Sequence, residues 1–292
     1  MIYDCFNFYN ELELLTIRLH ELDSFVDKFV LVESTVTFTN KAKKLFYEEN
    51  KHLFKKFHHK IIHIIVKDSP QVYGNPWIIE NFQLSAVMRG LAECKKEDII
   101  LLSCVDEIPK PERIALWMNK PGKHKVFLQQ MSYYYLNYIN YNTPLWEGTQ
   151  MFRYKDLLTY MNPYVARFTA VDVKISDGGW HFTFMGGVDR IRTKLFSYSH
   201  QEFNNPKYNT PEKILAAVIQ GKDLFHQGHK FRREELGFLP KYVQNNQEMF
   251  HKIILTSDKK HSVYSASLCA ILNGIHIARK YINVFKDLMY KK

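Results

Sequence analysis

The sequence predicts an α/β fold with a mostly parallel central sheet flanked by helices. Three observations support this prediction. Short apolar runs alternate with helix-length amphipathic patterns through the first hundred residues, which is typical of βαβ units. The apolar runs are nearly continuous, as expected of strands that are covered on both faces. The 292 residues are 46% hydrophobic and 24% charged, which is a globular composition.

The first half of the chain follows a regular order of elements. Residues 2–8 alternate like a strand, and residues 11–22 then carry leucines at helical spacing. The same succession continues with strands over 29–33, 60–66 and 98–102 and with helices over 45–57 and 77–94. These elements predict a parallel sheet whose crossover connections are helices.

The second half, after Pro109, has a more mixed pattern. It predicts strands over 126–128 and 149–152, a Gly-bounded aromatic segment over 178–187, and helices over 188–198, 212–224 and 265–290. The last of these is a C-terminal amphipathic helix that we expect to pack on the body of the domain; the alternative is that it docks to a partner. Because neither an internal repeat nor a linker interrupts the chain, we expect a single domain over 1–292.

The composition narrows the possible classes of protein. The net charge of +10 favours an anionic partner, a class that includes nucleic acid, acidic membranes and nucleotide phosphates. The basic residues are dispersed and no nucleic-acid motif is present, so we expect no nucleic-acid partner. No secretory signal is visible in the first residues, and no apolar run approaches the length of a membrane span, so we expect neither. With four scattered cysteines, the sequence predicts a soluble cytoplasmic protein.

The clearest candidate site follows the strand predicted over 98–102. Asp106 and Glu107 come after this apolar run, and Pro109 then ends the segment. In open α/β sheets ligands bind beyond the carboxyl ends of the strands, and paired carboxylates suit a divalent cation that bridges phosphates. Alternatively, Asp106 is the N-cap of a helix around 111–117. The pattern alone leaves both interpretations open.

Two further segments carry residues of functional type. The segment 178–187 combines flanking glycines with Trp180 and His181, which could stack on a sugar or base and bind a metal. A buried aromatic turn with a hydrogen-bonded histidine would have the same pattern. The segment 197–204 groups His200 and Glu202 with amide side chains, and it would matter only if it folds near Asp106. The signatures of P-loop, Rossmann, α/β-hydrolase and zinc-protease sites are absent from the sequence.

Several motifs along most of the chain occur together in one order. They are Asp4-Cys5-Phe6-Asn7-Phe8-Tyr9-Asn10-Glu11, Val32-Glu33-Ser34, Thr37-Phe38-Thr39, Asp106-Glu107-Ile108-Pro109, Trp146-Glu147-Gly148-Thr149, Gly179-Trp180-His181-Phe182, Met185-Gly186-Gly187 and Ser199-His200. By these motifs the chain resembles glycosyltransferase family 17, the group of the β-1,4-mannosyl-glycoprotein β-1,4-N-acetylglucosaminyltransferase that adds bisecting GlcNAc.

The resemblance implies a fold and a reaction. The fold would be a GT-A-like nucleotide-sugar-binding domain, with a nucleotide-binding part over about 1–110 and an acceptor-side part with the C-terminal helix over about 111–292. The reaction would be an inverting transfer of N-acetylglucosamine from UDP-GlcNAc to a glycan or glycoconjugate acceptor, usually with Mn²⁺. Inversion needs one base for the acceptor hydroxyl, while a cation neutralises the departing diphosphate.

The resemblance also implies roles for particular residues. Asp106 would be the last acid of a DxD-type motif and would bind the metal or the diphosphate. Glu33 and Ser34 would contact the nucleotide, and Trp180 would shape the sugar pocket. His181 or His200 would complete the metal shell. Glu107 or Glu202 would be the general base.

One position departs from the family pattern. The family has an aspartate two residues before Asp106, where this sequence has Cys104. A thiol is a poor ligand for Mn²⁺ or Mg²⁺, which prefer oxygen. The metal site would then rely on Asp106 with other ligands, or activity would be weak, or metal dependence would be lost. The alternative to an active enzyme is a catalytically weakened protein that binds glycans or nucleotide sugars.

Overall fold

A central sheet organises the part of the chain that the computed structural model describes, residues 1–72 and 74–256. The predicted helix over 265–290 lies outside these residues. Within them the sheet has ten strands. They are β1 Ile2–Phe8, β2 Lys28–Ser34, β3 Ile61–Val66, β4 Ile99–Cys104, β5 Glu107–Pro109, β6 His124–Tyr133, β7 Tyr138–Asn140, β8 Trp146–Arg153, β9 Val173–Thr183 and β10 Phe231–Arg233.

Helices lie between and after the strands. The α-helices are α1 Leu12–Leu22, α2 Phe46–Asn50, α3 Pro76–Ser85, α4 Pro111–Trp117, α5 Tyr154–Leu157, α6 Pro163–Arg167, α7 Gly187–Ser197, α8 Pro211–Gln220, α9 Lys241–Asn245 and α10 Gln247–Phe250. Shorter 3₁₀ helices span Lys51–Phe57, Ala86–Gly90, Gln201–Phe203, Leu236–Phe238 and His251–Ile253. None of the helices in the described ranges is long and apolar enough to cross a membrane.

The α/β class and the helix-flanked sheet are confirmed, but the prediction of a mostly parallel sheet is wrong. The strand order is β10-β7-β6-β8-β4-β1-β2-β3, and β9 pairs with β5 and β6. Strands β1 to β4 pair in parallel because helical crossovers join them. Strand β8 instead lies antiparallel between β4 and β6, and β7 is antiparallel to β6 and β10. The sheet is therefore mixed.

The core lies on both faces of the parallel half of the sheet. Phe6, Leu31 and Leu101 belong to one buried cluster, which α1 covers with its leucines. Cys5 and Val30 point to the opposite face and pack in a second cluster that includes residues of α3. Because successive strand residues point to opposite faces, this double coverage explains the nearly continuous apolar runs of the sequence.

The carboxyl ends of three parallel strands meet at one edge of the sheet. In register, Asn7 of β1 lies opposite Cys104 of β4, and Phe8 of β1 lies opposite Glu33 of β2. Asp106 follows β4 directly, at this same edge. Helix α4 begins at Pro111, and its N-cap is Lys110. The N-cap interpretation of Asp106 is therefore wrong, and the sheet-edge placement is confirmed.

Candidate functional site at the carboxyl edge of the sheet

A buried arginine fixes the turn between β4 and β5, which carries Asp106. The Arg18 side chain of α1 is fully buried and pairs with Asp4 of β1, with Nη2 2.5 Å and Nε 2.7 Å from the two carboxylate oxygens. Its other N–H groups donate to the carbonyls of Cys104 at 2.9 Å and Glu107 at 2.8 Å and to Ser103 Oγ at 2.6 Å. Five donor contacts from one planar group leave the turn little freedom.

The Asp106 carboxylate faces two basic side chains. Lys194 Nζ of α7 lies 2.9 Å from Asp106 Oδ2, and His181 Nε2 of β9 lies 3.7 Å from the same oxygen. The backbone N–H of Phe182 donates to the Asp106 carbonyl at 2.9 Å. Burial alone would raise the pKa of Asp106, but Lys194 and His181 outweigh it and hold that pKa far below its ordinary value. Asp106 is therefore an anion held by a cation.

Glu107 faces a different set of partners. Its Oε1 accepts a hydrogen bond from Trp146 Nε1 at 2.6 Å and forms an ion pair with Arg167. Its Oε2 accepts from the backbone N–H of Cys104 at 2.9 Å. Burial raises the pKa of Glu107, but Arg167 more than offsets this and the pKa is lowered. Both carboxylate oxygens are thus engaged, and the side chain holds Trp146 and Arg167 in place.

Among the described residues, three buried polar atoms at this edge have no hydrogen-bond partner. They are Asn7 Oδ1, Arg167 Nη1 and His181 Nδ1. Buried polar atoms in folded proteins are nearly always satisfied, so each unpaired atom needs an explanation. Their grouping around Asp106 and Glu107 is what a polar ligand would satisfy. Beside them opens a pocket lined by both signs of charge, including Asn10, Glu11, Glu13, Asp106, Arg190 and Lys194.

The described side chains supply few free ligands for Mn²⁺ or Mg²⁺. Within residues 1–72 and 74–256 there is no group of three or more His, Cys, Asp or Glu side chains placed to hold a metal ion. Burial raises the pKa of the Cys104 thiol well above its ordinary value, which keeps it protonated. His181 lies beside Asp106, but His200 pairs with Glu202 at 2.7 Å instead. The structure thus brings together only two of the three predicted metal ligands.

Glu33 and Ser34 lie at the same sheet edge but serve the neighbouring backbone. The fully buried Glu33 carboxylate accepts from the backbone N–H groups of Tyr47 at 2.9 Å and Glu48 at 3.3 Å. It therefore stabilises the N-terminus of α2. Ser34 Oγ lies 3.3 Å from Ser69 Oγ and accepts a hydrogen bond from the backbone N–H of Val36 at 3.1 Å. Both residues shape the chain around the edge.

The two tryptophans near Asp106 have different surroundings. Trp180 is buried in a third apolar cluster, and its Nε1 donates to the carbonyl of Phe238 at 2.7 Å. His181, the next residue of β9, points to the opposite face, where the Trp146 ring lies 4.9 Å from it. Trp146 is 38% exposed. The exposed aromatic surface beside Asp106 is therefore that of Trp146 and not that of Trp180.

Sequence reasoning missed four residues of this edge: Arg18, Glu80, Arg167 and Lys194. Only Arg18 left a signal, because it falls on the apolar stripe of the helix predicted over 11–22, where a charged residue needs a buried partner. Glu80 of α3 accepts a hydrogen bond from Ser199 Oγ, and burial raises its pKa above the ordinary value. This contact brings the segment 197–204 to the edge.

Comparison with known proteins agrees with the motifs. No curated protein matches the chain. The family model described as Glycosyltransferase family 17 matches residues 1–253, which is most of the 292-residue chain. The match includes β1 to β10 and every residue of the edge described above. The chain belongs to glycosyltransferase family 17.

Proposed function

We propose that the protein is an inverting glycosyltransferase that moves N-acetylglucosamine from UDP-GlcNAc to a hydroxyl group of a glycan or glycoconjugate. Family membership makes it a glycosyltransferase. The donor and the reaction are argued from one observation: the buried anion Asp106 lies at the carboxyl edge of the sheet, paired with Lys194 at 2.9 Å and beside His181, whose Nδ1 has no partner among the described residues. Open α/β sheets bind their ligands at this edge.

The residues around Asp106 indicate how the sugar donor, UDP-GlcNAc, would be oriented in the cleft. Trp146 presents a partly exposed indole face next to His181, and flat aromatic faces stack on sugar rings. We assign the sugar to this side of Asp106. Glu33 and Ser34, which hold the backbone at the end of β2, would border the nucleotide side of the cleft without contributing a free side-chain oxygen.

The catalytic base is the least determined role. Glu107 is fully engaged with Trp146 and Arg167, so it suits a positioning role. The pKa of Glu202 is lowered, since the hydrogen bond to His200 outweighs burial, which makes it a weak base. Burial raises the pKa of Glu80 above its ordinary value, and a raised pKa makes a carboxylate a stronger general base. We assign Glu80 as the base for the acceptor hydroxyl and retain Glu202 as the alternative.

A second function rests on one specific observation. Cys104 stands where the family pattern has the first acid of a DxD-type motif, and the remaining acid is paired with Lys194. A protein that binds nucleotide sugars but turns them over slowly would have the same contacts. Turnover, and not binding, separates the two functions.

The test is donor turnover by the purified 292-residue chain. UDP release from UDP-GlcNAc, with a panel of glycan acceptors, is compared for the wild type, Asp106→Asn and the control Asp189→Asn, which changes an exposed acid of α7. We expect Asp106→Asn to lower kcat/KM by about 100-fold or more and the control to match the wild type. NMR of the product gives the anomeric configuration.

Each outcome decides between the functions. Turnover that depends on Asp106 and inverts the anomer supports the proposal. UDP binding without turnover on any donor favours the weakened binding protein. If neither UDP nor a UDP-sugar binds in calorimetric titration, both functions are wrong.

A further inference from the structure

We propose that Lys194 takes the place of a divalent cation at the donor diphosphate, so that transfer requires no metal ion. This inference rests on the proposed function. Lys194 Nζ lies 2.9 Å from Asp106 Oδ2 and 3.3 Å from Thr183 Oγ1. Its ammonium group therefore lies against the single carboxylate that a metal ion of a DxD-type site would have to use.

A metal ion and this ammonium group compete for the same space. Mg²⁺ binds carboxylate oxygens at about 2.0–2.1 Å, so an ion on Asp106 Oδ2 would lie within a few ångströms of Lys194 Nζ. Like charges at that separation repel strongly at a largely buried site. The binding of a divalent ion would have to displace Lys194, which itself stabilises the buried Asp106 anion.

Neither Cys104 nor Glu107, the residues beside Asp106 in the turn, supplies a second free oxygen ligand to compensate for that displacement. Cys104 offers a sulfur atom where Mn²⁺ and Mg²⁺ prefer oxygen, and both oxygens of Glu107 are taken by Arg167, Trp146 and a backbone N–H. In the part of the chain that the structure describes, no cluster of three or more metal-binding side chains is found. A metal ion that is held mainly by substrate phosphates still needs one or two free carboxylates, and at this edge Asp106 is already paired with the Lys194 ammonium group.

Lys194 has the contacts that such a role requires. An ammonium group has three N–H donors, and Asp106 and Thr183 use two of them. The third has no hydrogen-bond partner among the described residues, and it can donate to a phosphate oxygen in the pocket that Lys194 lines together with Arg190. Without Lys194, the Asp106 carboxylate would repel a diphosphate; with it, the pair is neutral overall and presents a donor.

The charge balance of the reaction needs no additional component. The bond between the sugar C1 and the diphosphate oxygen breaks, and the diphosphate leaves with the electron pair. The acceptor oxygen forms the new bond to C1, and its proton passes to the carboxylate base. Negative charge grows on the leaving oxygen, and the Lys194 ammonium stabilises it as a charge-assisted hydrogen-bond donor.

The first experiment measures turnover and binding without metal. UDP release from UDP-GlcNAc is measured in EDTA and in Mn²⁺ for the wild type, Lys194→Ala, Lys194→Arg and Arg192→Ala. Arg192 is the matched control because it is an exposed cation of the same helix, placed over Phe196. We expect less than a twofold effect of EDTA on the wild type, a loss of about 100-fold or more in Lys194→Ala, partial rescue by arginine, and no loss in the control.

The second experiment detects the role of Lys194 independently of turnover. Calorimetry in EDTA gives the ratio of UDP to UMP affinity, which reports contacts to the outer phosphate. Lys194→Ala should reduce the preference for UDP by about tenfold or more, while its affinity for UMP changes little. Circular dichroism of each variant shows that the fold is retained. In Cys104→Asp/Lys194→Ala, two carboxylates become free, and Mn²⁺ binding should appear in a direct titration.

The results that overturn the inference differ from those that overturn the proposed function. If EDTA abolishes wild-type turnover and Mn²⁺ restores it, or if Lys194→Ala keeps the full preference for UDP, the inference is wrong and the glycosyltransferase remains. If the wild type neither binds nor turns over any UDP-sugar under either condition, the proposed function is wrong and the inference fails with it.

Discussion

Replacing Arg18 by methionine tests whether the buried arginine holds the Asp106 turn. Arg18 and Asp4 are both fully buried, so the substitution leaves the Asp4 carboxylate without its counter-ion. Removing one partner of a buried ion pair costs about 3–5 kcal/mol. The carbonyl of Cys104 also loses a donor, which adds about 1 kcal/mol. The carbonyl of Glu107 keeps a bond from Thr149 Oγ1 at 2.8 Å.

We therefore expect Arg18→Met to lower the free energy of unfolding by about 4–6 kcal/mol, a large part of the total for a typical domain. The assay is urea unfolding at neutral pH, followed by circular dichroism and tryptophan fluorescence. Arg192→Met is the control, because an exposed arginine of α7 should change stability by less than about 0.5 kcal/mol.

The double variant Asp4→Leu/Arg18→Met separates the charge from the packing. It removes both buried charges, so it should be more stable than Arg18→Met alone by about 3 kcal/mol. A loss below about 1 kcal/mol in Arg18→Met would refute the reasoning, since no pair of this burial should be so weak. A double variant no more stable than the single one would show that the cost is lost hydrogen bonding and not an unpaired charge.

Two further predictions follow from single residues. Gly179→Ala should lower the free energy of unfolding by about 2 kcal/mol or more in urea titration, because Gly179 has φ +136° and a Cβ would lie 2.2 Å from the carbonyl oxygen of Ile108. Gly237→Ala, where a Cβ meets nothing within 4 Å, should cost little. If Glu80 is the base, wild-type kcat/KM should rise with pH through its raised pKa, since a base must be deprotonated. Glu80→Gln should remove this rise of kcat/KM with pH and lower kcat by about 100-fold at unchanged UDP affinity. If Glu202→Gln alone shows an equal loss, Glu202 and not Glu80 is the base.

The parallel half of the sheet could be predicted because its periodicities are local. Strands β1 to β4 are apolar runs of the length of a strand, and the helices between them repeat apolar residues at helical spacing. The second half could not be predicted in the same way, because short links between β6, β7 and β8 replace the crossover helices. Such links favour antiparallel neighbours, and nothing in the pattern of one strand reports the direction of its partner.

The position of Asp106 could be predicted, but its partners could not. The rule that ligands bind beyond the carboxyl ends of strands uses only the order of elements. Lys194, by contrast, reaches Asp106 from 88 residues further along the chain, and Arg167 reaches Glu107 from 60 residues away. The sequence pointed to Trp180 as the aromatic residue of the sugar pocket, whereas the exposed aromatic surface near Asp106 belongs to Trp146, which the sequence did not single out for this role. Residues 178–183 belong to strand β9, and in a strand Trp180 and His181 must face opposite sides.

The hydrogen bonds around Cys104 explain how this position can differ from the family pattern while the fold of the edge remains. Residue 104 contributes to the turn through its backbone alone, since its N–H donates to Glu107 and its carbonyl accepts from Arg18. Its side chain is not needed for either bond, so an aspartate can become a cysteine without disturbing the turn. The exchange removes one negative charge from the cleft. On the inference above, the Lys194 ammonium group then balances the charge of Asp106, where a divalent ion would otherwise bind.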